Sequence, residues 1–81
     1  MREKRNIIGE RMRIARHSEQ PKAPLVDISA RLEVMGVKLS GDSLSKIELG
    51  QRPVTDKQLV AIARALKVST SWLLKETNER R

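Results

Sequence analysis

Apolar residues recur at helical spacing along most of this chain. Ile8, Met12 and Ala15 stand at i, i+4 and i+7. Leu25, Ile28, Leu32 and Met35 follow at steps of three and four residues, and Leu44 and Ile47 form a shorter inward pair. Leu59, Ile62, Ala63 and Leu66 repeat at i, i+3, i+4 and i+7. Trp72, Leu73 and Leu74 close the series. No stretch alternates long enough to demand a strand. The pattern predicts an all-α chain, a bundle of five helices with short connections.

Punctuation between the stripes sets the boundaries. Asn6 can cap the first helix, which ends near His17 and Ser18, and Pro21 and Pro24 mark the loop that follows. The second helix runs from about Pro24 to Met35, with Gly36 as its stop. Val37–Leu39 is a connector whose Leu39 points into the core. The third helix starts at Ser40 or at Asp42 and stops at Gly50, beyond which Pro53 blocks continuation. The fourth has the clearest start: Thr55 and Gln58 fit a capping box, and Val54 and Leu59 fit a hydrophobic staple. Lys67 falls in its last turn, where a cation suits the helix dipole. Ser69 can cap the short fifth helix. Residues 1–5 and 76–81 are polar and expected to fray, leaving a core of about 6–75 in a single domain spanning 1–81.

Composition narrows the function. Trp72 is the only aromatic residue in 81, so the core must be aliphatic. There is no cysteine, which removes disulfides and thiolate metal sites. The charged start, Met1 to Arg5, does not fit a signal peptide, and no apolar run nears the ~20 residues of a membrane span. A cytoplasmic location is expected. Seventeen basic and ten acidic residues leave a net charge of +7, which favours an anionic partner, nucleic acid before a membrane surface. Membrane binding is disfavoured because the apolar stripes are needed to build a core. His17, the only histidine, has no ligand partners and ends a helix where positive charge is welcome. No nucleophile-and-base arrangement and no glycine-rich phosphate loop is present. An enzyme, a cofactor, a metal and a small-molecule ligand are therefore not expected.

The run Ser43-Leu44-Ser45-Lys46-Ile47-Glu48-Leu49-Gly50-Gln51-Arg52-Pro53 resembles the core motif of the Cro-like (Xre-type) helix-turn-helix family. Leu59 to Leu74, with Ile62-Ala63-Arg64-Ala65-Leu66-Lys67-Val68-Ser69, resembles that family's ending, and Ile8 to Arg13 with Arg16 resembles its first helix. The resemblance spans about residues 7–74. It implies a five-helix bundle of the phage-repressor type, with the third helix in the DNA major groove and the second crossing the backbone. It further implies a repressor or regulator that binds double-stranded DNA as a homodimer on a palindromic site. Two features depart from the family pattern. About five extra residues, including Val34-Met35-Gly36, separate the second and third helices, which predicts an extended second helix and a longer turn. Pro24-Leu25 replaces the usual capping hydroxyl and glutamine, removing one phosphate contact.

With Leu44 and Ile47 inward, the third helix turns Asp42, Ser45, Lys46 and Leu49 outward, with Ser43 on the flank. Lys46 can donate to guanine O6 and N7, and Asp42 can accept from cytosine N4 or simply complement the helix dipole. Ser43 and Ser45 are adaptable base-facing groups. Ser40, Gln51, Arg52, Arg16 and Arg11 are the phosphate candidates. By resemblance, Arg16 and Glu48 also pair, tying the first helix to the third. Arg31, Arg64 and Lys57 read as ordinary surface charges, and Trp72 as a core residue rather than a base-stacking one. A competing expectation is a protein-interaction module, antitoxin-like or anti-repressor-like, that keeps the fold without specific DNA binding. Pro24-Leu25 and an outward Leu49 favour it; Lys46, Gln51 and Arg52 oppose it.

Overall fold

The computed structural model describes residues 3–80. Its helices are α1 (Gly9–His17), α2 (Leu25–Val34), α3 (Gly41–Glu48), α4 (Asp56–Leu66) and α5 (Thr70–Leu73), and no strand occurs among the described residues. The fold is all-α, as the spacing predicts. α1 packs on α3, α4 and α5, while α2 packs on α3 and α4. Met12, Ile28, Leu32, Leu44, Ile47, Ile62 and Leu73 are sealed from solvent at the centre. Each such side chain contributes about 1.5–3 kcal/mol on burial. Ala61 and Ala65 are also buried, so α4 presents a wider face than its four-residue stripe suggested.

Side-chain oxygens start the later helices as expected. Ser40 accepts from Ser43 N–H at 3.1 Å, which decides the start of α3 against Asp42. The capping box of α4 is complete, with Thr55 Oγ1 accepting from Gln58 N–H and Gln58 Oε1 from Thr55 N–H. Ser69 caps α5 through Trp72 N–H. α2 begins after Pro24 with no side-chain cap.

The ends of α2 to α5 share one device. Past α2, Val37 N–H donates to Leu32 O and Gly36 N–H to Glu33 O, a Schellman closure with Gly36 at φ +81°. α3 closes identically through Gln51, Gly50 and their acceptors Lys46 O and Ile47 O, with Gly50 at φ +75°. In α4 and α5 lysines, Lys67 and Lys75, occupy the left-handed position.

Two expectations need correction. Met35 is not a core residue: the closure has already ended α2, and Met35 is 43% exposed. Leu39 from the connector fills the core instead, its carbonyl held by Ser29 Oγ at 2.6 Å. Arg31 is not an ordinary surface charge. Lying over the end of α4, it pairs with Glu19 through both nitrogens at 2.8 Å and donates to Ala65 O, one of the carbonyls a helix end leaves open. The described part of the C-terminal segment lies against the bundle. Arg11 donates to Thr77 O and to the Asn78 side chain, Arg80 O accepts from Ser69 N–H, and the Arg80 guanidinium lies 4.9 Å from the Trp72 ring centre. At the other end Arg5 N–H donates to Gly50 O at 2.8 Å, which joins the segment before α1 to the end of α3. Met1, Arg2 and Arg81 lie outside the described residues.

Candidate nucleic-acid interface

α3 is built as a rod with one locked face and one open face. Leu44 and Ile47 are fully buried, which fixes its rotation about its own axis. α1 approaches it backbone to backbone at Gly9, where a Cβ would fall 2.5 Å from Ile47 O and 2.6 Å from Glu48 O. Only glycine permits that approach. Asn6 fixes the same end. Its Oδ1 accepts from Ile8 and Gly9 N–H, while its Nδ2 donates to Ile47 O at 3.0 Å and Arg52 O at 2.8 Å. One side chain thereby caps α1 and holds both α3 and the loop behind it.

Arg16 and Glu48 meet as the resemblance implied. Arg16 Nε and Nη2 donate to the two carboxylate oxygens at 2.7 and 2.9 Å, and Nη1 donates to Ala23 O at 3.1 Å. The side chains are only 12% and 7% exposed. The hydrogen bond to Glu48 raises the Arg16 pKa above its ordinary value, against the desolvation of burial. With three of its donor bonds made inside the fold, Arg16 presents little to a phosphate. Its role is to tie the end of α1, the α1–α2 loop and α3 together.

The opposite face carries Asp42, Lys46 and Leu49 at i, i+4 and i+7, one stripe along the helix. Leu49 is 60% exposed. The side chains of Asp42 and Lys46 are 80% and 54% exposed and lie 3.4 Å apart. Ser45 is half-buried beside them. On the flank, Arg52 Nη1 donates to Ser43 Oγ at 2.9 Å, and Ser40 Oγ donates to the same oxygen at 3.2 Å. Three predicted contact residues thus form one polar cluster at the start of α3. Gln51 is exposed just past its end.

Arg11 is not brought to this face. Nη1 donates to Trp72 O and Thr77 O at 2.7 and 2.6 Å, and the guanidinium lies 5.0 Å from the Trp72 ring centre. It holds α5 and the C-terminal segment to α1. Trp72 is 5% exposed, a core residue as expected. His17 ends α1 as expected; desolvation, then repulsion from Arg16, Lys22 and Arg13, lowers its pKa against the attraction of Glu48.

Asn6 and Gly9 act on α3 without having been singled out for that role. The sequence shows Asn6 as a cap, but nothing local says that its amide also reaches carbonyls some forty residues on. Gly9 sits inside a helical stretch where it lowers helix propensity, which is the one local signal of a close approach.

The arrangement is a helix-turn-helix: α2 and α3 joined by a connector, α3 held firmly from behind, and a polar stripe facing outward. A helix-turn-helix family model matches residues 33–73, from the last turn of α2 through α5. The chain belongs to the Xre-type, Cro-like helix-turn-helix family of DNA-binding regulators. Neither the curated proteins nor the solved structures contain a match to it. No helix among the described residues is long and apolar enough to cross a membrane.

Proposed function

We propose that the protein is a sequence-specific transcriptional repressor, acting in the cytoplasm, that inserts α3 into the major groove of double-stranded DNA. The observation that carries this reading is the pair Asp42 and Lys46, open to solvent on a helix whose other face, Leu44 and Ile47, is fully buried. On the major-groove edge of a G·C pair, the guanine O6 acceptor lies beside the cytosine N4 donor. Lys46 and Asp42 supply the matching donor and acceptor side by side. Ser43 and Ser45 adjust to neighbouring bases. Ser40, Gln51 and Arg52 hold phosphates that set the register. Arg16 acts through Glu48 on the pose of α3. An eight-residue helix spans few base pairs, so a homodimer on a palindromic site supplies the length that specificity requires.

The test is selection of bound duplexes from random DNA, followed by a salt titration of the winner. The expected result is an inverted-repeat site whose affinity falls steeply with salt, through counterion release. No enrichment over random sequence would reject DNA reading and favour the protein-interaction module.

A further inference from the structure

The segment before α1 is sewn to the far end of α3. Arg5 donates through its backbone N–H to Gly50 O at 2.8 Å, and Asn6 bonds to Ile47 O and Arg52 O. Lys4 lies across Gly50 so closely that a Cβ there would meet its Cγ at 2.9 Å. An open, mostly polar cleft results, with Lys4 and Arg5 on one side and Leu49 and Gln51 on the other. Leu49 is the last residue of the outward stripe, so the cleft continues the face that carries Asp42 and Lys46.

The side chains of Lys4 and Arg5 are exposed, and among the described residues neither belongs to an ion pair. The fastening is made by the Arg5 backbone and the Asn6 amide, so it uses neither cationic head group. The anchored backbone thus places two side chains with free cationic head groups beside the end of the reading helix.

We propose that this cleft is a DNA phosphate site, in which Lys4 and Arg5 grip the backbone flanking the bases that α3 reads. The proposal rests on the DNA-binding reading above and extends its footprint past Gln51. A guanidinium fork and an ammonium both suit phosphodiester oxygens and carry no base information. Glu3 lines the same cleft and opposes the phosphate.

The test compares four proteins on one selected duplex by fluorescence anisotropy across a salt series: wild type, Lys4→Gln with Arg5→Gln, Glu3→Gln, and a charge-matched control, Arg64→Gln with Lys67→Gln. The variant with Lys4→Gln and Arg5→Gln is expected to bind more weakly, with an unchanged base preference and a log–log salt slope shallower by about one for each phosphate it no longer neutralises. The control is expected to keep nearly the wild-type slope. Glu3→Gln, which leaves both cations in place, is expected to bind more tightly. An equal loss of slope in the Lys4→Gln, Arg5→Gln variant and the control, or no change in that variant, overturns the phosphate site while DNA reading by α3 stands. Weaker binding by Glu3→Gln also counts against it. Wild type that binds no duplex overturns both.

Discussion

Two ion pairs share α3, and they differ in nearly every physical respect. Arg16 and Glu48 meet through two short hydrogen bonds with side chains 12% and 7% exposed. Lys46 and Asp42 meet once, at 3.4 Å, with side chains 54% and 80% exposed. The Arg16–Glu48 pair, largely enclosed, is strongly directional, and losing one partner leaves the other charge poorly solvated. An exposed pair is weak and easily exchanged for other partners. The helix is fixed where its orientation must not change. It is left adaptable where a ligand replaces its contacts.

Breaking the inner pair should have the largest effect. Glu48→Gln is expected to lower stability by about 3 kcal/mol, and Arg16→Met with Glu48→Gln to recover part of that loss. Thermal unfolding of the full double-mutant cycle measures the coupling. A coupling of zero in both unfolding and DNA binding would reduce Glu48 to a passive helix residue. Asn6→Ala removes a cap and two bonds to carbonyls behind α3, and should lower stability by about 2 kcal/mol in the same assay. The outer pair should behave oppositely: Asp42→Asn is expected to shift stability by less than about 0.5 kcal/mol.

Another pair, Glu19 with Arg31, sharpens the comparison because it is more exposed than the inner pair and less than the outer one, with side chains 29% and 34% exposed. The hydrogen bond from Arg31 holds the Glu19 pKa below its ordinary 4.5. A carboxylate depressed in the folded state contributes stability above that ordinary value and loses it as pH falls through the lowered one. Solvent screening limits the contribution to at most about 1 kcal/mol. The melting difference between wild type and Glu19→Gln should be present near neutrality and vanish in acid. A difference independent of pH would contradict this pairing.

What could be read from the sequence follows the range of the interactions. Caps, closures and stripes involve residues within about five positions, and the helices lie close to where those signals place them. Leu39, Trp72 and the capping box of α4 are legible for that reason. Arg31 and Arg11 are not, because a surface arginine and one that satisfies a distant helix end look alike in sequence. Met35 continues a numerical stripe past the point where Gly36 has ended the helix. The Arg16–Glu48 tie comes from family resemblance, since nothing local joins residues on separate helices. The outward residues of α3 are legible from periodicity alone once Leu44 and Ile47 are placed inward. The cleft at Lys4 and Arg5 depends on the positive φ of Gly50 and on Asn6 reaching across the fold, neither of which a sequence pattern displays.

The central claim is that α3 reads bases through its exposed stripe. Its most direct test is the affinity of wild type and Lys46→Met for the selected site and for each single base-pair change within it. The account predicts that wild type loses about 1–3 kcal/mol at one G·C position per half-site, and that Lys46→Met flattens that position alone. A Lys46→Met profile matching wild type at every position would contradict it.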